Sequence, residues 1–537
     1  VRTTTGMPVV APSDCPVCYS DEPVHVLTDS EIRHIILKFA EAAVRARKAG
    51  FDAVEIHGAH GYLISQFLSP YTNRRSDEWG GSPEKRRAFL LAVARAVREA
   101  VGADFTVTCR LTVDEALAGG LTLQEGAAAA AALASSGCID AIHIVAGNYA
   151  SPEVIIPPAS EGYVINRARA VAVREAVGPD FPLIVAGRVK NVFMAEELIQ
   201  NGIADFVAMG RALIADPFLP GLCSEGRYSS VRTCLGCNDG CAGQTELGLP
   251  TACSINPRMG FEHDFPLSPA ACDRRKKVLV AGAGPAGMEA AWTAAMLGHE
   301  VLLCEKAAHV GGQFLLASIP PGKDEIFVYL RNMVQRLKEA GVTVRLNTAV
   351  TAELVRAEAV DHVILATGGK PLVIPFEGLD GMSWMTSSDV LSWRMDDLGP
   401  RVAVIGGGLV GCETAEYIAA GGRRVTIVEM QPACAGGLQY TVRKRLLERL
   451  ESLQVQLVCN ARVERMANGF VSVRMNGGVT DLGPFDSVVL AMGSRSENQL
   501  AQDLDRMAVP YSVIGDALKT GKVMAATASA LRAAFAL

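Results

Sequence analysis

No run of about 20 apolar residues free of charge occurs in this sequence, so a membrane-spanning helix is not expected. The stretch 126–147 comes closest, and Ser135, Ser136, Asp140 and His143 interrupt it. Basic residues are not in excess: 51 Lys and Arg stand against 57 Asp and Glu, a net charge of −6. That balance argues against nucleic acid as the main partner. Hydrophobic residues make up 49% and charged ones 20%, which excludes general disorder. The 14 cysteines in 537 residues are too sparse for a disulfide scaffold. Residues 1–23 show neither a basic n-region nor an apolar h-region. The chain therefore reads as a cytoplasmic enzyme of about three or four domains.

What is present is a regular alternation. From 28 to 220, β-branched runs at 53–57, 105–111, 139–145, 182–186 and 206–209 each lead through a loop into an amphipathic, Ala-rich helical run. Thr28 and Glu31 form a capping-box signal for a helix ending near Gly50. Five βα units in series predict an α/β fold with a parallel sheet covered by helices. Residues 221–270 break this rhythm with Gly, Pro and Cys. A new pattern then starts at Lys276 and recurs at Arg401, as though one nucleotide-binding unit were duplicated and the second copy nested in the first.

The first copy carries Gly282, Gly284, Ala286 and Gly287 between an apolar strand and a helix. Gly282 permits the tight turn, Gly284 lets the backbone approach a pyrophosphate, and Gly287 lets helix and strand pack closely. The helix N-terminus offers unpaired N–H groups to that phosphate. Glu305, followed by Lys306, lies 23 residues after Gly282, where a carboxylate can hold ribose hydroxyls. The second copy has Gly406, Gly408 and Gly411, with Glu429 again 23 residues on. An acid there favours NADH over NADPH, although Arg423 and Arg424 are close in sequence.

Cys234, Cys237, Cys241 and Cys253 crowd into twenty residues, a spacing that suits an iron–sulfur cluster; structural zinc is the alternative. Cys15 and Cys18 form another close pair with no second pair beside it, and read as a loop coincidence. His57, His60 and Tyr62 fall where a strand gives way to a loop, the end at which a βα barrel keeps its chemistry. Two imidazoles and a phenol offer two hydrogen-bond donors and one proton donor. Arg110 lies near the end of the next strand. Gly187 with Arg188 and Gly210 with Arg211 follow the last two strands, where such barrels commonly bind a phosphate.

Together these residues resemble the old yellow enzyme superfamily in its long branch, with 2,4-dienoyl-CoA reductase, enoate reductases, bile-acid enoyl reductases and trimethylamine dehydrogenase. The resemblance covers nearly the whole chain and is most specific at Phe51–Ser82, the cysteine segment and the two glycine-rich turns. It implies an FMN-binding (βα)8 TIM-type barrel (1–225), a 4Fe-4S segment (226–272), an FAD domain (273–398 with 496–537) and an inserted NAD(P)H domain (399–495). It further implies that Gly312, Gln313, Gly515 and Asp516 serve FAD. Ala366-Thr-Gly368 and Ala491-Met-Gly493 resemble the segments closing each nucleotide-binding unit. By the same resemblance His57 and His60 hold the substrate carbonyl oxygen, Tyr62 protonates the α-carbon, and Arg110 sits beside the flavin pyrimidine. Bacterial dienoyl-CoA reductase carries a second active-site histidine after strand six, and 147–158 offers no obvious counterpart.

The resemblance implies an NADH-dependent ene reductase for an α,β-unsaturated carboxylate, ketone or thioester, with electrons passing from NADH through FAD and the 4Fe-4S cluster to FMN. Two competitors stand beside it: an amine dehydrogenase or demethylase sending electrons outward, and a diaphorase without a working FMN site. Members of the family often associate, which leaves a homo-oligomer open. A full barrel needs eight strands and about 250 residues, whereas only five strands, matching the family's fourth to eighth, precede the cysteines. With Val1 at its start, the chain reads most simply as a fragment of a longer protein, and whether FMN binds to the chain in this form is left open.

Overall fold

The computed structural model of the chain describes residues 6, 8–15 and 23–537; Cys18 of the Cys15–Cys18 pair lies outside them. Two compact units are present, one of 1–157 with 161–210 and one of 158–160 with 211–537. None of the described helices is long and apolar enough to cross a membrane.

In the first unit, β1 (Val9–Ala11) and β2 (Val24–Val26) form a short parallel pair. The strands β3 (Ala53–Gly58), β4 (Thr106–Thr112), β5 (Ala141–Val145), β6 (Leu183–Ala186) and β7 (Phe206–Ala208) form a parallel sheet in chain order, as the five βα units predict. Thr28 and Glu31 close the expected capping box, each side chain accepting from the other's backbone N–H, and the helix Asp29–Lys48 follows. The apolar stretch 126–147 divides into the end of the helix Leu123–Ser135 and β5. Val107, Cys109, Leu111, Ile142 and Ile144 belong to the core with Phe67 and Phe89. Side chains alternate along a strand, so Glu55, His57, Arg110 and His143 share the opposite face. Among the described residues, β3 and β7 are the sheet's edges.

In the second unit, β8 (Lys277–Ala281), β9 (Glu300–Cys304), β10 (Thr343–Arg345) and β11 (His362–Leu365) make one parallel sheet. A second parallel sheet contains β13 (Trp384–Thr386), β14 (Arg401–Ile405), β15 (Arg424–Val428), β16 (Gln456–Val458) and β20 (Ser487–Leu490), in the order 13-20-14-15-16. The chain then returns, and β22 (Tyr511–Val513) pairs with β11 in the first sheet. This return is the nesting that the duplicated motif predicts. At the two crossings β12 (Gly369–Pro371) pairs antiparallel with β21 (Ser494–Ser496). A meander of β17 (Arg462–Ala467), β18 (Phe470–Met475) and β19 (Gly478–Leu482) follows β16. Because Trp384–Thr386 pairs with β20, the second sheet begins before the expected boundary at 399.

The cysteine segment has little regular structure apart from a π-helical turn, Asp239–Gly243. Side-chain anchors hold it instead. Arg232 and Arg258 both reach Glu289 on the helix Pro285–Met296, at 2.9 and 3.2 Å. Thr527 Oγ1 donates to Ser254 O at 3.0 Å and Asn332 Nδ2 to Val231 O at 2.8 Å. Trp292, one turn beyond Glu289, carries Arg232, Arg258 and Arg336 around its ring at 4.8–5.2 Å.

Candidate active site and cofactor cradles

At the C-terminal end of β3 the chain turns sharply. His60 takes a left-handed backbone (φ +58°), and its N–H donates to Thr112 Oγ1 at 2.9 Å. This turn gathers the three predicted residues: His57 lies 5.6 Å from His60 and 5.0 Å from Tyr62, ring centre to ring centre. A fourth joins them, for Tyr149 Oη donates to Tyr62 Oη at 2.6 Å. Tyr149 lies in the loop 147–158, which carries no histidine, and only the fold brings it to Tyr62.

Arg110 sits beside His57 in the sheet register, and His143 beside Arg110. His143 is a site residue that sequence reasoning did not identify. Its strand is buried on both faces, so alternation gave no signal. Nδ1 of His143 meets Glu55 Oε2 at 3.1 Å, while its Nε2 and Arg110 Nε are buried with no partner. A polar row with two orphaned nitrogens fits a planar heterocycle that offers hydrogen-bonding edges, as the FMN expectation requires.

Burial, and after it the Arg110 cation, lowers His60 from its ordinary value to about 3, and His57 is lowered by the same causes in the same order. Both imidazoles are then neutral at pH 7. The unfolded chain binds a proton on His60 below about pH 6.5 that the fold refuses, so stability falls as pH drops from there towards about 3. Asn tolerates the left-handed backbone. In urea unfolding at pH 7 and pH 4, His60→Asn should therefore lose less stability on acidification than the parent; an equal loss would contradict this assignment.

The glycine and arginine residues that follow β6 and β7 differ in their surroundings. Gly187 has φ +116°, and a Cβ there would meet Asn166 Nδ2 at 2.8 Å. Arg188 is buried, donates to Glu161 O at 2.6 Å, and lies 5.0 Å from the Tyr163 ring, with Lys190 at 5.1 Å. Gly210 opens the helix Gly210–Ala215 with free space around it. Arg211 turns to the cysteine segment instead, donating to Asn238 Oδ1 at 2.6 Å, with its charge felt by Cys241.

In the second unit, a cavity of about 1730 Å³ is lined by Gly282, Gly284, Ala286, Glu305, Lys306, Gly312, Gln313 and Asp516. Gly282 and Gly287 sit as their positions predicted. A Cβ on Gly282 (φ +104°) would lie 2.4 Å from Ala366 O, one on Gly287 would lie 1.8 Å from Gly282 O, and Gly284 faces free space. Gly515 (φ +58°) admits no Cβ either, with Ala286 Cβ 2.8 Å away. The second turn repeats this: Gly406 against Ala491 O at 2.5 Å, Gly411 against Gly406 O at 1.9 Å, Gly408 free. Ala366 and Ala491 thus close the two units as expected. The acids repeat too: Glu305 accepts from the N–H groups of Ala283 (2.8 Å) and Ala307 (2.9 Å), and Glu429 from those of Gly407 (2.5 Å) and Gln431 (2.7 Å). Gly284→Ala should keep the parent's Tm but lose FAD on gel filtration, whereas Gly287→Ala should lower Tm as well; equal Tm values would contradict the packing role of Gly287.

Cys234 lies within electrostatic reach of Cys237, Cys241 and Cys253, and Cys237 of Cys241 and Cys253. Gly240, beside Cys241, approaches the Cys253 loop so closely that a Cβ would meet Ala252 O at 2.6 Å. Ala252 N donates back to Gly240 O at 2.9 Å, and Cys237 Sγ to Ser254 Oγ at 3.5 Å. Cys237 also lines the cavity that holds Gly284 and Gln313. Among the described residues no group of three or more His, Cys, Asp or Glu side chains is arranged to hold a metal ion.

Residues 5–230 match the NADH:flavin oxidoreductase / NADH oxidase family, and residues 276–520 the pyridine nucleotide-disulphide oxidoreductase family. The chain is 39% identical to an NADH oxidase of Thermoanaerobacter brockii, over 99% of this chain and 82% of that protein. It is 34% identical to a cinnamate reductase of Clostridium sporogenes, again over 99% and 82%. The structure of a 2-naphthoyl-CoA reductase in complex with 2-naphthoyl-CoA superposes with a TM-score of 0.93 at 31% identity, over 99% of this chain and 80% of that one. The division into a parallel βα sheet and two nested dinucleotide-type units, together with these matches, makes the chain a member of the old yellow enzyme superfamily, in its multidomain NADH:flavin oxidoreductase branch.

Proposed function

We propose that this chain is an NADH-dependent ene reductase, reducing the C=C bond of an α,β-unsaturated carboxylate, ketone or thioester. The observation that carries the reading is the gathering of His57, His60, Tyr62 and Tyr149 at the end of β3. Two neutral imidazoles can donate to a carbonyl oxygen, most strongly to the enolate that develops there. Tyr62 can protonate the α-carbon as general acid. Arg110, with Gly187, Arg188 and Gly210, would hold FMN. Gly282, Gly284, Glu305, Gln313 and Asp516 would hold FAD.

The spacing of Cys234, Cys237, Cys241 and Cys253 supports a 4Fe-4S cluster held by these four thiolates, which would have to draw together on binding, since no three of them are arranged for a metal among the described residues. When bound, the flavins supply hydride chemistry and the cluster single-electron transfer. For the nucleotide, Glu429 follows the end of β15 while Arg423 and Arg424 stand at its start, roughly 16 Å away along the strand. Arg423 is also engaged with Leu398 O at 3.2 Å. This separation supports NADH over NADPH.

Amine dehydrogenases are also among the relatives. The complete second turn, with Glu429 seated on it, favours electrons entering from NADH. Anaerobic purification with FMN, FAD and iron measured per polypeptide tests the reading. One of each flavin and about four irons are expected, with flavin bleaching by NADH and reoxidation by an enone. FAD and iron without FMN would reduce the chain to a diaphorase.

A further inference from the structure

Three thiols that the proposed reaction leaves unused meet in the second nucleotide-binding unit. Cys412 stands on the first turn of the helix Leu409–Ala420, Cys434 in the loop after β15, and Cys459 just after β16. Cys434 Sγ and Cys459 Sγ are 3.7 Å apart, the contact distance of two reduced thiols. Cys434 is also within hydrogen-bond reach of Cys412, whose Sγ donates to Gly407 O at 3.2 Å. The chain of sulfurs therefore ends on the glycine-rich turn. Cys412 and Cys434 are buried, whereas Cys459 is partly exposed and gives a small molecule access.

Cys434 is also the backing of that turn. A Cβ on Gly407 would lie 2.7 Å from Cys434 Sγ and 2.9 Å from Glu429 Cβ. Ala435 N donates to Gly407 O at 2.7 Å, and Gly407 N to Glu429 at 2.5 Å. Sulfur, turn and carboxylate are packed without slack, so displacement of one is felt by the others.

We propose that Cys434 and Cys459 form a thiol–disulfide site that exchanges with low-molecular-weight disulfides and, once oxidised, weakens NADH binding at the adjoining turn. Cys459 as thiolate attacks a disulfide RSSR and forms a mixed disulfide, releasing RS⁻. Cys434 gives its proton to that RS⁻, attacks the Cys459 sulfur and expels the second RS⁻, which takes the proton Cys459 first lost. Two thiols are oxidised by two electrons, one disulfide is reduced, and two RSH leave. An S–S bond of about 2.05 Å draws Cys434 towards Cys459 from 3.7 Å and so disturbs its packing against Gly407. Burial first, then Cys434, raises the Cys459 thiol to about 11, and Cys412 together with burial raises Cys434 as well, so both steps of the exchange quicken as pH rises. The effect on NADH rests on the second turn being its binding site; the cross-link does not.

The test is anaerobic incubation of the holoenzyme with 2-hydroxyethyl disulfide, alkylation of remaining thiols, and tryptic mass mapping. Tryptic peptides 425–443 and 450–462 each contain one cysteine, Cys434 and Cys459. The expected result is a linked pair two hydrogens lighter than the reduced peptides, with the KM for NADH in flavin bleaching raised about tenfold. Dithionite reduction of the flavins should stay unchanged, dithiothreitol should restore the KM, and Cys459→Ser should show the parent KM and no response. Two alkylated, unlinked peptides would overturn the site. A linked pair with an unchanged KM would overturn its coupling to the nucleotide. Untreated enzyme that NADH fails to bleach would refute the nucleotide reading, and the cross-link would still decide the thiol site.

Discussion

Replacing Tyr62 by Phe is expected to slow alkene reduction by about 10²- to 10⁴-fold, the usual contribution of a positioned general acid. NADH-driven flavin reduction should stay at the parent rate. Tyr62 Oη accepts from Tyr149 Oη at 2.6 Å, so the hydrogen Tyr62 carries must point elsewhere, free for a substrate carbon. Phe keeps the ring against His57 and Tyr149, and the turn should fold unchanged. Tyr149→Phe removes one neutral hydrogen bond to the acid and should cost about tenfold or less. The two half-reactions, followed separately by anaerobic stopped-flow, check this. If both fell together in Tyr62→Phe, the phenol would be serving the fold or the flavin instead of the substrate.

Glu289→Ala is expected to destabilise the second unit by about 3–5 kcal/mol, the cost of leaving a buried ion pair broken. Glu289 is 0% exposed and holds Arg232 (3%) and Arg258 (2%) on its two oxygens. Neither guanidinium can shed its charge, and the Trp292 face offsets only part of it. A fall in Tm on the order of 10 °C is expected. With the cysteines holding a cluster as proposed, iron retention should drop too, because both arginines belong to the segment carrying them. Glu289→Gln keeps hydrogen bonding without the charge and should fall between. A change in Tm under about 2 °C for Glu289→Ala would show that the arginines find other partners.

Much of this molecule was legible along the chain because the determinants are local. The Thr28–Glu31 capping box, the β-branched runs that become β3 to β7, and the two glycine-rich turns each act within a few residues. The roles of Gly282 and Gly287 follow from steric rules about φ and a missing Cβ, and the close contacts those rules predict are present. Nesting was legible as well, since a repeated motif followed by a return strand admits few topologies.

Other features needed the fold because they join residues far apart in sequence. Tyr149 meets Tyr62 across 87 positions and His143 meets Glu55 across 88. Neither pairing has a spacing or a period that could betray it. Arg211 shows another limit of local reading: the Gly-Arg repeat suggested a phosphate contact, and nothing in the repeat announced the hydrogen bond from Arg211 to Asn238, 27 positions on. The order of residues set which elements form and where each backbone must bend, since those choices depend on neighbours in the chain. Which side chains stand within reach of one another, from the Tyr62–Tyr149 pair to the three sulfurs behind Gly407, was set by packing between elements, where distance along the chain no longer measures distance in space.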